Sequence, residues 1–205
     1  MIITKLKGGL GNQLFQYALG RAVALHHKLP LKLDLTIFKT YKLHRYLLDQ
    51  FPIQADMATE DEIINLKGRK NVLFSALRKA GLIKRKSYFK EKRSSYFDAR
   101  VFKNNFVYLD GYWQNELYFS HIREVLLTEL SPISLMNDLS CDYLESIEKT
   151  NSVSLHVRRG DYLNLKNINV LDVDYYMKAV EYIKKNVEKP TFYIFSDDLD
   201  WCRKA

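Results

Sequence analysis

The period of the apolar positions changes several times along the chain. Met1 to Leu6 alternates weakly, which predicts a first strand. Leu14, Phe15, Ala18, Leu19, Ala22, Val23 and Leu25 then recur at helical spacing, and Pro30 stops that pattern. Leu31 to Leu35 predicts a second strand ending near Asp34. Together these segments form a βαβ unit with a glycine stretch, Gly8-Gly9-Leu10-Gly11, at its first turn. Asp56 to Leu66 is polar with a short helical pattern, and Asn105 to Leu109 predicts a strand that runs into Asp110-Gly111-Tyr112-Trp113-Gln114-Asn115. From Glu116 to Leu130 the residues Phe119, Ile122, Leu126 and Leu130 share one face of a predicted helix, which Ser131-Pro132 ends. A further helix carries Met136, Leu139, Tyr143, Leu144 and Ile147 to about Lys149.

A second βαβ unit follows. Val153, Leu155 and Val157 point one way and Ser152, Ser154 and His156 the other, the period of a strand with one packed face. That strand should end near Arg158. Val173 to Val187 predicts a helix with Tyr176, Met177, Val180, Ile183 and Val187 on its buried side and Asp172 as N-cap. After Pro190, Thr191 to Phe195 is an apolar strand closed by Ser196-Asp197-Asp198, and Leu199 to Arg203 starts another helix. If the two strands are parallel partners, their ends at Arg158 and Ser196 are neighbours. These patterns predict a domain over residues 1–150 and the start of a second over 151–205. Two strands are too few for an independent domain, so the second is expected to be incomplete.

Composition narrows the class. Apolar residues make up 47% and charged residues 27% of 205, which is globular rather than disordered or fibrous. No apolar run is long enough to span a bilayer. The first residues enter a strand without a signal-peptide layout, and Cys141 and Cys202 have neither disulfide nor metal spacing, so the expected compartment is the cytoplasm. The net charge is +8, and residues 67–93 hold eleven Lys or Arg against one acid, Glu91. This basic insertion therefore carries more than the whole surplus. It reads either as a solvated segment or as a hold on an anionic surface.

Three stretches carry candidate chemistry. Arg158 and Arg159 at a strand's carboxyl end offer planar, bidentate bonds to phosphate oxygens, at the sheet edge where open α/β folds bind ligands. Gly160 permits a turn or a close ligand approach, and Asp161 can brace an arginine. A solvated surface ion pair is the alternative reading of the same residues. At the glycine stretch, the dinucleotide fingerprint wants a third glycine where Leu14 stands, so that match fails. A helix N-terminus after glycines still presents N–H groups to an anion or a sugar, and Asn12 adds an amide. Tyr112, Trp113 and Gln114 suit sugar faces and hydroxyls, although aromatics more often fill cores. The pairs Asp172/Asp174 and Asp198/Asp200 resemble metal-holding acid pairs but sit at helix starts, where capping accounts for them.

In this order, Gly8-Gly9-Leu10-Gly11-Asn12-Gln13-Leu14-Phe15-Gln16-Tyr17-Ala18, Leu109-Asp110-Gly111-Tyr112-Trp113-Gln114, His156-Val157-Arg158-Arg159-Gly160-Asp161-Tyr162 and Phe195-Ser196-Asp197-Asp198 resemble the α-1,2-fucosyltransferases of glycosyltransferase family 11, from the first residue to the last. The His-x-Arg-Arg-x-Asp pattern marks the wider fucosyltransferase group, and the glycine stretch narrows it. The resemblance implies two facing Rossmann-like domains, the B-type glycosyltransferase fold. It implies GDP-β-L-fucose as donor, the 2-hydroxyl of a terminal β-galactoside as acceptor, and inversion with no metal or other cofactor. By resemblance, Arg158 and Arg159 hold the diphosphate and stabilise the leaving GDP, and His156 faces the nucleotide. Asp161 braces the loop, Gly11 and Asn12 close on the sugar or β-phosphate, and Asp197 or Asp198 reaches the guanine or ribose. Tyr112, Trp113 and Gln114 shape the acceptor side. Asp161 is the one candidate for a catalytic base, although a bracing role suits it better.

Family members continue through most of a Rossmann domain, so the second domain is expected to be cut short. Resemblance to bacterial members implies a lipid-linked surface glycan as acceptor and a peripheral place on the inner membrane face, with the basic insertion as contact. A non-catalytic GDP-sugar-binding scaffold is the alternative. A nucleic-acid module built on residues 67–93 is weaker, because no nucleic-acid motif accompanies the charge, and nucleic acid is not an expected partner.

Overall fold

Strands of four residues or fewer build the sheet of the first unit, and the three central ones are largely buried while the two edge strands are more exposed. The computed structural model describes residues 1–40, 43–68, 87–92, 96–132, 138–164 and 169–205. The chain divides into two compact units, Met1–Ser134 and Leu135–Ala205.

In the first unit, β1 (Ile2–Lys5) pairs in parallel with β2 (Leu31–Asp34) on one side and with β5 (Val107–Asp110) on the other. The edges are β3 (Asp56–Met57) beside β2 and β4 (Tyr88–Lys90) beside β5, so the order is β3-β2-β1-β5-β4 and every pair is parallel. The helix α1 (Leu10–His27) covers one face. Its Leu19, Ala22 and Val23 meet Ile2, Leu6, Leu31, Leu33, Val107 and Leu109, all buried. The helix α2 (Glu60–Lys67) covers the other face, where Ile63 and Leu66 meet Ile3 and Tyr108. The alternation of β1 thus sends Ile2 and Ile3 into two different cores. Gly20 lets α1 lie close on the sheet, since a Cβ there would stand 2.2 Å from Thr4 Oγ1. A glutamate deep in this unit, Glu129, accepts the Tyr17 hydroxyl at 2.5 Å and a two-pronged bond from Arg21.

Two departures from the sequence reading have physical causes. The predicted continuous helix from Glu116 to Leu130 is instead two 3-10 turns, Glu116–Tyr118 and Ser120–Ile122, followed by α3 (Arg123–Glu129). The Asn115 side chain accepts from Leu117 N, and Phe119 breaks the spiral at φ −143°. The break lets Tyr118, which is off the predicted apolar face, become buried, where its hydroxyl accepts from Asp98 N and donates to Tyr96 O, both at 2.9 Å. The second departure is β4, which lies inside the segment read as a solvated insertion. Phe89 and Tyr88 pack on the two cores, so this part belongs to the sheet. Residues 69–86 and 93–95, with most of the basic cluster, lie outside the described residues.

The second unit is a parallel pair, β6 (Asn151–Val157) with β7 (Pro190–Ser196), in register from Asn151↔Pro190 to Val157↔Ser196. Before it comes α4 (Asp138–Glu148), tied to β7 by a 2.7 Å bond between the Ser146 and Tyr193 hydroxyls; Met136 lies outside the described residues. Two more helices are α5 (Val173–Asn186) and α6 (Leu199–Lys204). Asp172 and Asp198 cap them, accepting from Tyr175 N and Trp201 N. The apolar side of α5 is only half covered, and Met177 is 52% exposed, because a pair of strands is narrower than the stripe it faces.

Candidate active site

The order of the first sheet reverses between β1 and β5. From β1 the chain moves out through β2 and β3, then returns on the other side. In open α/β sheets, the crevice beyond the carboxyl ends at such a point is the ligand site. Here it lies between the turn after β1, Lys7-Gly8-Gly9, and the turn after β5, Gly111 to Asn115.

Gly8 holds the left-handed conformation at φ +82°, which is why a glycine stands there. The turn is then fixed by two glutamines of α1, both fully buried. Gln16 pairs with Lys7 in both directions, its Oε1 accepting from Lys7 N at 2.8 Å and its Nε2 donating to Lys7 O at 3.1 Å. Gln13 donates to Gly8 O and Arg45 O and accepts from Leu47 N, at 2.9, 2.8 and 3.0 Å. Asn12 is therefore delivered at the head of α1, and its Oδ1 accepts from Gln114 Nε2 at 2.8 Å across the crevice. Gly11, in the same helical turn, has no atom near the place a Cβ would take, so its face is open.

Beside this bridge the Lys7 ammonium lies 4.6 Å from the Tyr112 ring centre. Lys5 and Lys7 both pair with Asp110, at 3.4 and 3.2 Å, and Tyr88 donates to it at 2.8 Å. Burial pushes the Asp110 carboxyl up, but Tyr88 and the two ammoniums outweigh it and hold the group below the usual carboxylate range. Trp113 is fully buried among Phe89 and Tyr118, so it shapes this edge from beneath. Its backbone is left-handed at φ +60°, a costly state for an aromatic residue. Glu91, at the end of β4, holds it there by accepting from Tyr112 N at 2.7 Å and Trp113 N at 3.1 Å. The sequence reading missed Glu91, because only the β4–β5 pairing brings it to this loop.

The second unit has its own carboxyl edge, and the parallel register brings its two strand ends together as expected. Asp197 Oδ1 accepts from Arg159 N at 2.9 Å and Gly160 N at 3.2 Å, and its Oδ2 pairs with Arg158 at 2.8 Å. The Arg159 amide, the Arg158 guanidinium and the Gly160 amide keep the Asp197 carboxyl below its usual range. Asp161 braces Arg158 at 2.7 Å. Arg159 donates through Nε to Asp198 at 3.1 Å and lies 4.2 Å from the Trp201 ring centre. A Cβ on Gly160 would come within 2.6 Å of Asp197 Oδ2, so a larger residue there displaces that carboxylate. His156 is exposed on the polar face of β6. Asp197 and Asp198 are thus engaged inside the loop, where the sequence reading sent them to the nucleoside. Among the described residues no group of three His, Cys, Asp or Glu is placed to hold a metal ion.

The first unit is a Rossmann-like parallel sheet with a glycine turn at its switch point, and the second is a parallel strand pair whose carboxyl edge presents two arginines braced by carboxylates. The whole chain, residues 1–205, matches the model of glycosyl transferase family 11. It is 33% identical over 213 residues to an alpha-1,2-colitosyltransferase of Escherichia coli, covering 100% of this chain and 71% of that protein. It is 32% identical over 225 residues to the O-antigen biosynthesis glycosyltransferase WbnK of the same species, covering 98% and 74%. A more distant relative is the mouse galactoside 2-alpha-L-fucosyltransferase Sec1, 28% identical over 116 residues, 52% of this chain and 31% of that one. The chain belongs to glycosyl transferase family 11, whose members transfer a sugar from a nucleotide-sugar donor to a glycan acceptor.

Proposed function

We propose that the chain transfers L-fucose from GDP-β-L-fucose to the 2-hydroxyl of a terminal β-galactoside, with inversion at the anomeric carbon and without a metal. The observation that carries this is the arginine edge. Two guanidiniums leave one strand end and are oriented by carboxylates from the next. Such a pair can neutralise the charge that grows on a departing diphosphate, in the place a divalent ion takes elsewhere. In this reading a phosphate replaces Asp161, which is exposed, as the partner of Arg158. Asp197 stays as the anchor of the loop. Arg158 and Arg159 contact the diphosphate, and His156 lies beside the nucleotide. Gly11 leaves room for the sugar to approach the head of α1, where Asn12 meets it. Tyr112 and Gln114 present a ring and an amide to the acceptor, over Trp113.

A second donor has support of its own. The E. coli relative that covers the whole chain is named for α-1,2 transfer of colitose. Colitose is fucose without its 3-hydroxyl. Purified chain is therefore incubated with GDP-fucose or GDP-colitose and a terminal β-galactoside, with EDTA present, and the product linkage is read by NMR. An α-1,2-fucosylated product is expected. An α-1,2-colitosylated product alone moves the assignment to that donor, and no product with either removes the transferase reading in favour of a binding role. We also place the chain in the cytoplasm against the inner membrane face, where residues 67–93 meet anionic lipid and the acceptor is lipid-linked. Co-sedimentation with anionic but not neutral vesicles, lost on changing Lys84, Arg85 and Lys86 to Glu, tests this; equal sedimentation of the variant ends it.

A further inference from the structure

Arg158 and Arg159 stand side by side at the end of β6, yet their guanidiniums are held in different ways. Arg158 spends both terminal nitrogens on carboxylates, Nη2 on Asp161 at 2.7 Å and Nη1 on Asp197 at 2.8 Å. It has to release at least one of them before it can fork onto a phosphate. Arg159 uses only its inner nitrogen, Nε, which donates to Asp198 at 3.1 Å. Its two terminal nitrogens have no hydrogen-bond partner among the described residues. A guanidinium tied at one point on a long stem would swing. A ring restrains this one: Arg159 Cζ lies over Trp201 of α6, 4.2 Å from the ring centre, against 5.2 Å between Arg158 Cζ and the ring of Tyr162. The flat, weakly hydrated guanidinium of arginine is suited to such a face.

One carboxylate builds this contact. Asp198 Oδ1 accepts from Trp201 N at 3.1 Å and so starts α6, while Oδ2 of the same group accepts from Arg159 Nε. Asp198 is itself placed by the turn after β7, where its N–H donates to Ser196 Oγ at 2.9 Å. The helix cap therefore delivers the indole to the guanidinium that the cap also holds. From α5, Tyr176 meets the indole edge-on, with 6.2 Å between ring centres and 66° between planes. Arg159 is the less exposed arginine, with 18% of its side chain accessible against 41% for Arg158. All of these residues belong to the second unit. Resting on the transferase reading, we propose that Trp201 is a positioning residue of the donor site: its ring and Asp198 hold Arg159 so that the two terminal nitrogens present a ready fork to the diphosphate of the nucleotide sugar. Arg159 then loses little side-chain freedom when the donor binds. Trp201 acts through Arg159 and not on the reacting atoms.

Calorimetric titration with GDP compares wild type, Trp201→Phe and Trp201→Leu, and the Tm of each is measured alongside. Phenylalanine keeps a ring face, and leucine keeps only apolar bulk. Immobilising one long side chain on binding costs about two- to tenfold in affinity, so Trp201→Leu should bind GDP about fivefold more weakly while Trp201→Phe stays within about twofold of wild type. Both substitutions remove bulk and should lower Tm, but only one removes the ring, so a merely structural tryptophan would lose affinity in both variants alike. If Trp201→Leu does not fold, Trp201→Met, unbranched and without a ring, takes its place. Wild-type affinity in the ring-free variant overturns the role, and so does an equal loss in the Phe and ring-free variants. A wild type that binds neither GDP nor GDP-fucose overturns the proposed function itself; GDP bound alike by wild type and the ring-free variant overturns only the role of Trp201.

Discussion

Gln13 is the residue on which the first unit's site depends, and Gln13→Met isolates what it does. Methionine has nearly the same length and volume, so the packing of α1 is kept and three hydrogen bonds are lost: to Gly8 O, to Arg45 O and from Leu47 N. Gln13 is fully buried, but its partners at Arg45 and Leu47 are not, so the net value of an exchanged hydrogen bond applies. At about 1 kcal/mol net for each bond, the loss is about 3 kcal/mol. For a chain of this size each kcal/mol moves Tm by about 3 °C, so Tm should fall by about 9 °C. Gln13→Glu is the companion variant. It keeps an acceptor for Leu47 N but sets a carboxylate against two carbonyl oxygens in a buried place, and should be less stable than Gln13→Met. Thermal unfolding followed by circular dichroism gives the order wild type, then Met, then Glu. A Gln13→Met protein melting within about 2 °C of wild type would refute the reasoning that these bonds hold the turn.

Two further predictions follow from the geometry. Gly160→Ala puts a carbon 2.6 Å from Asp197 Oδ2, the oxygen that pairs with Arg158, so that ion pair must shift; binding of GDP should weaken at least tenfold by calorimetry, and unchanged affinity would mean the loop does not need this pair. Asp110 titrates below its ordinary 3.8 in the folded protein, so its contribution to stability is complete above that value and fades as pH drops through the folded pKa; urea midpoints of wild type should fall more steeply below about pH 4 than those of Asp110→Asn, and parallel curves would contradict the ion-pair account.

The local parts of this fold were legible in the sequence. The strand, glycine turn, helix and strand from Met1 to Asp34 are set by near neighbours, and so are the alternation of β6 and the caps at Asp172 and Asp198. The arginine edge was legible too, because parallel pairing of β6 and β7 follows from a βαβ pattern. What escaped the reading depends on distant partners. Glu91 becomes a loop anchor only through the pairing of β4 with β5, and its own neighbourhood is dominated by lysines and arginines that draw attention to charge. Trp113 could be read as a sugar-facing or a core aromatic, and the left-handed turn that Glu91 stabilises places it in the core. The break at Phe119 has the same origin. Periodicity sees one apolar stripe, while burial of Tyr118 requires a second direction.

The central claim is that the arginine edge binds a guanosine diphosphate sugar, and thermal stabilisation of this chain tests it most directly. GDP-fucose at a hundred times its Kd adds about 2.7 kcal/mol to the bound fold and should raise Tm by several degrees. GDP-mannose should give a smaller shift and UDP-galactose none, and Arg158→Ala should abolish the response. A shift of equal size with UDP-galactose, or one that survives in Arg158→Ala, would contradict the claim.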